Sequence, residues 1–125
     1  MDKIIVNQTS KTPFVSLDAE KGKIEILGIS IPENPADFYE PMLSWIEQYE
    51  KNPCDSTIID IGITYYNTSS SKWLLEFLLV LNKIYINNNK DVLVNWHYSD
   101  DDIFEAGKDY ESLLEMPFHF IIEEE

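Results

Sequence analysis

The sequence predicts an α/β fold: a mixed β-sheet with an N-terminal antiparallel hairpin and about three helices. Two short segments, Pro13 to Leu17 and Lys23 to Ile29, alternate apolar and polar residues on either side of Asp18-Ala19-Glu20-Lys21-Gly22. That pattern is a hairpin signature, with Gly22 available for a positive φ. Two further segments, Asp55 to Ile63 and Asp91 to Trp96, are mostly apolar and β-branched, as expected of central strands covered on both faces. Stretches with helical spacing alternate with these strands, and right-handed crossovers join such units into one partly parallel sheet.

In chain order, Lys3 to Thr9 reads as a short edge strand, followed by the hairpin. Ile24 and Ile26 face one side of it while Lys23 and Glu25 face the other, so one face of the hairpin is wet. Asn34-Pro35 opens a helix, with Asn34 as cap and Pro35 as first helical residue, where its missing N–H costs nothing. Phe38, Met42, Trp45 and Tyr49 form its expected buried stripe. Pro41 is expected to kink or restart the helix, and Asn52-Pro53 to end it. After the strand ending at Ile63, Trp73 to Ile86 is apolar enough to be a largely buried helix, stopped by Asn87-Asn88-Asn89-Lys90. The strand Asp91 to Trp96 leads into His97-Tyr98-Ser99-Asp100-Asp101-Asp102, then a helix patterned by Ile103, Phe104, Tyr110, Leu113 and Leu114. Pro117 stops it, and Phe118 to Ile122 forms a last strand, with His119 as an edge or core histidine.

The chain of 125 residues, 44% hydrophobic and 13% aromatic, reads as one domain spanning 1–125 with a real core. Nine basic against 23 acidic residues leave a net charge of −14, which repels phosphate backbones and anionic lipid. Nucleic acid and membrane surfaces are therefore not the expected partners; a basic protein surface is. Ser99 to Glu125 holds ten acidic residues and one lysine. Cys54 is the single cysteine, so no intrachain disulfide forms, and its place before an apolar strand reads as a small buried hydrophobe. The N-terminus lacks a long apolar signal region, and the cytoplasm is the expected compartment.

The most informative stretch is Tyr65-Tyr66-Asn67-Thr68-Ser69-Ser70-Ser71-Lys72, four consecutive hydroxyls between an apolar strand and an apolar helix. Asn67 is a good N-cap, which puts Thr68, Ser69 and Ser70 in a first turn whose N–H groups favour negative charge. A phosphate there changes the local charge by about −1.5 to −2. The competing reading is a plain polar turn, since Ser, Thr and Asn favour caps without any chemistry. This turn and the His97–Asp102 loop follow strands expected to be neighbours, at the carboxyl ends where α/β sheets build their sites. They would share one rim, of Tyr65, Tyr66, His97, Tyr98, Asp100, Asp101 and Asp102.

With these residues in place, the chain resembles the SiaC family of bacterial regulatory phosphoproteins, small domains of the anti-sigma-factor-antagonist (STAS-like) type. The resemblance is carried by Thr12-Pro13, Ser30-Ile31-Pro32-Glu33-Asn34, the Tyr66–Lys72 string, Asn95-Trp96-His97-Tyr98, Asp100–Asp102 with Glu105-Ala106-Gly107, and Pro117-Phe118. It departs at His97, where the family pattern has an aromatic residue, and the glycine of the Asp-Ser-Ser-Gly turn of more distant STAS proteins is absent. The resemblance implies a partner switch. Thr68 is phosphorylated by a dedicated kinase and dephosphorylated by a PP2C-like phosphatase, and only the unphosphorylated form binds and activates a diguanylate cyclase. Asn67, Ser69, Ser70, Ser71 and Lys72 are then the supporting turn, with Lys72 one turn on from Thr68. The residues themselves leave open which of the four hydroxyls is modified.

Two rival readings remain. A constitutive binding module would use the acidic C-terminal face without phosphorylation. An enzyme would hold a divalent cation on His97 and Asp100–Asp102, or pair Ser70 with His97 as nucleophile and base. Adjacent aspartates at a helix start more often act as caps, and no phosphate loop or metal-spaced His/Cys set occurs. The expected protein is therefore not an enzyme, with no catalytic residue, metal ligand or cofactor.

Overall fold

The computed structural model describes residues 1–123, so Glu124 and Glu125 of the acidic segment lie outside the described residues. Strands β1 (Ile4–Val6), β2 (Phe14–Asp18) and β3 (Lys23–Ser30) precede helix α1 (Pro35–Lys51). Strand β4 (Ser56–Tyr66), helix α2 (Thr68–Asn87), strand β5 (Asp91–Tyr98), helix α3 (Asp101–Leu113) and strand β6 (Phe118–Ile122) follow. The strands form one six-stranded sheet in the order β1-β2-β3-β4-β5-β6. β1–β2 and β2–β3 are antiparallel, while β3–β4, β4–β5 and β5–β6 are parallel. This is the α/β class and the N-terminal hairpin that the sequence predicts, with three helices.

The boundary residues act locally as their chemistry dictates. Gly22 takes φ +65° in the β2–β3 turn. The side chain of Asn34 accepts the Asp37 N–H at 3.3 Å, and Pro35 stands in the first turn. Asp100 does the same for α3, accepting from the Ile103 N–H at 2.9 Å. Asn88 caps the end of α2, and Cys54 is half-buried, its thiol donating to the Ala19 carbonyl at 3.1 Å.

Four expectations need correction. β4 and β5 are covered on one face only. Thr57, Ile59, Ile61 and Ile63 of β4 are buried, whereas Ile58 is 38% exposed and Asp60 and Gly62 are half-buried. Val92, Val94 and Trp96 of β5 are buried, whereas Leu93 and Asn95 are half-buried. The reason is topological. Parallel strands added in simple sequence order by right-handed crossovers send every helix to the same face, so α1, α2 and α3 share one side of the sheet. Second, α1 does not restart at Pro41 but continues through it; that residue is exposed, so the carbonyl left without its i+4 donor can bond water. Its buried stripe is Tyr39, Met42, Trp45, Ile46 and Tyr49, with Phe38 only half-buried. Third, β1 is confined to Ile4–Val6. Fourth, Leu113 of α3 is 61% exposed, and Met116, beyond the helix, is buried in its place. Asn82 of α2 holds that segment, its side-chain carbonyl accepting the Glu115 and Met116 N–H groups at 2.9 and 3.0 Å.

β4 and β5 each extend beyond the apolar run that announces them, to Tyr66 and Tyr98. In β3–β4 the register slips between Gly28 and Ile29, leaving Thr64 unpaired before Tyr65 meets Ile29 and Tyr66 meets Ser30. Such a bulge reverses the in–out alternation. It turns Tyr66 toward the helices and leaves Tyr65 60% exposed.

Candidate functional site

The carboxyl end of β4 delivers the chain directly into α2. Asn67, in extended backbone, accepts the Ser70 N–H on its side chain at 2.9 Å, and its own N–H donates to the Ser30 carbonyl at 3.3 Å. The first turn of α2 is thereby pinned to the end of β3. The four hydroxyls then meet four different environments.

Ser70 is 1% exposed and donates to the Ser30 carbonyl at 3.0 Å. The Ser30 hydroxyl donates to Ser70 Oγ at 2.9 Å and bonds the Tyr39 hydroxyl as well. Since each hydroxyl has one proton, Tyr39 must donate to Ser30, which gives a closed relay Tyr39–Ser30–Ser70 with no unpaired donor. Burial pushes the Tyr39 phenol up, the bonds to Ser30 and Ser70 only partly offsetting it. Ser71 is half-buried, and its hydroxyl donates back to the Thr68 carbonyl at 2.8 Å. The Ser71 carbonyl accepts from the Tyr110 hydroxyl at 2.8 Å, tying α2 to α3. Thr68 and Ser69 are exposed. Lys72 is exposed one turn beyond Thr68.

Thr68 borders a hollow of about 400 Å³ that also takes in Tyr65, Tyr66, Asn67, Ser71, Asp100 and Asp102. Of the rim expected from the sequence, Tyr65, Tyr66, Asp100 and Asp102 border this hollow, because β4 and β5 are neighbours in the sheet, whereas His97, Tyr98 and Asp101 do not. The Tyr66 and Tyr110 phenols are both pushed up, chiefly by burial, so both stay neutral in the physiological range. Negative charge at the hollow comes from Asp100 and Asp102, both exposed.

His97 departs from this rim. It lies on the sheet face without helices, where Nε2 bonds Asp60 Oδ1 at 3.0 Å and Nδ1 bonds the Glu123 carboxylate. Tyr98 packs edge-on against Phe104 of α3, ring centroids 4.9 Å apart. Ser70 lies beneath the helices and His97 across the sheet, so they form no nucleophile–base pair. Asp100 is engaged as a cap, and among the described residues no group of three or more His, Cys, Asp or Glu side chains is placed to hold a metal ion. His119 is exposed on the edge strand β6. Ser30, Tyr39 and Tyr110 support the turn without being evident in the sequence as site residues. The one local signal was Ser30, a polar residue in register with the buried Ile24 and Ile26.

Comparison with known proteins decides the family. The model of the SiaC family regulatory phosphoprotein matches residues 6–123. The chain belongs to the SiaC family. A relative from Pseudomonas aeruginosa (strain UCBPP-PA14), an uncharacterised protein, is 24% identical over 120 residues, covering 94% of each chain. The fold is also that of the solved SiaC structures from Pseudomonas aeruginosa. Apo-SiaC superposes with a TM-score of 0.89 at 24% identity, over 97% of this chain and 99% of the other. SiaC bound, as activator, to the diguanylate cyclase SiaD superposes with a TM-score of 0.89 at 23% identity, over 96% and 99%. Among the described residues, no helix is long and apolar enough to cross a membrane.

Proposed function

We propose that this SiaC-family protein is a phosphorylation-controlled partner switch without catalytic activity. The unphosphorylated form docks on and activates an effector, a diguanylate cyclase by analogy with the SiaD complex. A dedicated kinase blocks docking by phosphorylating Thr68, and a PP2C-like phosphatase restores it. Action in the cytoplasm goes with this reading, since protein kinases draw on cytosolic ATP.

The observation that carries the proposal is the sorting of the four hydroxyls. Ser70 is sealed and bonded, and Ser71 is half-buried and turned onto its own helix. Thr68 and Ser69 are both exposed, and of these two Thr68 alone borders the hollow. A phosphate on Thr68 gains the first-turn N–H groups of α2 and the reach of Lys72. It also adds about −1.5 to −2 of charge beside Asp100 and Asp102. An effector that seats against this rim must then desolvate or face that charge, which weakens docking.

The test has two parts. Mass spectrometry after incubation with the cognate kinase should place the phosphate on Thr68. Titration against a diguanylate cyclase from the same cell should then show Thr68→Ala binding like the unphosphorylated wild type. Thr68→Asp should bind about tenfold more weakly or worse. Equal binding by Thr68→Asp and wild type would overturn the electrostatic mechanism. The acidic exposed residues of α3, among them Asp101, Glu105 and Asp109, favour a second reading, a constitutive module docking a basic surface. In that case a phosphate-affinity gel of the native protein shows no shifted band under any growth condition.

A further inference from the structure

The sheet face without helices carries a chemistry of its own. Ile58 and Leu93 are paired across β4 and β5, with the exposed Lys23 beside Ile58 on β3, and Leu27 pairs with Gly62 across β3 and β4. Ile58 is 38% exposed, and Leu27 and Leu93 are half-buried although, among the described residues, no helix covers them. Between these apolar rows runs a polar one, Glu25–Asp60–Asn95. At its end is a hollow of about 300 Å³ bordered by Glu25, Leu27, Asp60, Gly62, His97 and Glu123. Gly62 keeps it open, since a Cβ there would sit 3.0 Å from Leu27 Cδ2 and 3.6 Å from His97 Cβ. Among the described residues, three carboxylates border the hollow and no lysine does. His97 bonds two of them, and Glu25 has no salt bridge among the described residues.

We propose that this face docks an amphipathic helix of a partner protein, its apolar side on Leu27, Ile58 and Leu93 and a lysine or arginine directed to Glu25 and Asp60. A helix is the element that covers an open sheet face in layered α/β architectures, and the crossover topology leaves this face without one. Charge selects among occupants. Anionic lipid is repelled by the carboxylates. A second copy related by two-fold symmetry would bring the same acidic row against itself. A basic amphipathic helix satisfies both the apolar rows and the unpaired acid. Thr64 borders both this hollow and that of Thr68, so the occupant lies beside the proposed switch, although its docking does not require phosphorylation.

The test uses the full unphosphorylated chain, labelled with ¹⁵N. The probe is a synthetic Leu/Lys peptide of about five helical turns, its leucines at helical spacing. A peptide of the same composition in scrambled order is the control for simple attraction to a protein of charge −14. The ordered peptide is expected to shift the amides of Glu25, Leu27, Ile58, Asp60, Leu93 and Asn95. Its binding is expected to weaken about tenfold in both Glu25→Lys and Ile58→Ser. Glu25→Lys changes a half-exposed residue, and so keeps the test intact should Ile58→Ser fold poorly. Shifts confined to α3, equal binding of the scrambled peptide, or concentration-dependent shifts of this face without peptide would each overturn the proposal. Thr68 takes no part in the titration, so its failure leaves the phosphorylation switch standing, and the reverse holds too.

Discussion

Removing one hydroxyl from the first turn of α2 should have very unequal consequences at positions two residues apart. In Ser70→Ala, the Ser30 hydroxyl loses the acceptor it reaches at 2.9 Å, inside a site where Ser70 is 1% exposed. The Ser30 carbonyl loses one donor but keeps the Asn67 N–H at 3.3 Å, so the orphaned group is the Ser30 proton alone. An unsatisfied buried donor costs about 1–3 kcal/mol, and with one partner of the carbonyl retained we expect about 1–2 kcal/mol. Thr68→Ala removes an exposed hydroxyl whose side chain caps nothing and should change stability by less than about 0.5 kcal/mol. Urea unfolding followed by tryptophan fluorescence reads both values, with an unchanged slope confirming that the unfolded state is not altered. A neutral Ser70→Ala, or a Thr68→Ala as costly as Ser70→Ala, would refute the sorting of hydroxyls on which the proposed function rests.

Gly107→Ala should be among the more damaging single substitutions. Its Cβ would lie 2.5 Å from Trp96 Nε1, which donates to the Ile103 carbonyl at 2.8 Å. Overpacking of this kind costs about 1–3 kcal/mol, read as a lower Tm and altered Trp96 fluorescence. Raising the pH should destabilise the protein through Tyr39. Burial raises its folded pKa above the unfolded value, so its contribution is complete below about pH 10 and is lost as pH rises further. Denaturant midpoints from pH 9 to 11 should fall less steeply in Tyr39→Phe than in wild type. At the acid end, Asp18 has its pKa held down, first by the Lys21 N–H, with Lys3 and the Glu20 N–H adding to it against the cost of burial. Its contribution is therefore present above the ordinary carboxylate pKa and disappears as pH falls through the lower folded value. Asp18→Asn should flatten the loss of stability between about pH 4 and 2.

The residues by themselves determined the order of elements, the hairpin and the helix starts, because the causes are local. Gly22 supplies a positive φ, Asn34, Asn67 and Asp100 offer cap oxygens to N–H groups three residues on, and apolar spacing marks each helix. They also placed Thr68 in a first turn beside Asp100 and Asp102, since neighbouring parallel strands deliver both loops to one edge. Only the tertiary structure decided which hydroxyl is sealed, because Ser70 is buried by Ser30 and Tyr39, 40 and 31 residues away (70 − 30 and 70 − 39). It also decided that the helices share one face, which follows from strand order and crossover hand and leaves no trace in any local window. The same one-sidedness took His97 away from the Thr68 rim to Asp60 and Glu123, and the bulge at Gly28 turned Tyr66 inward against the simple alternation of β4.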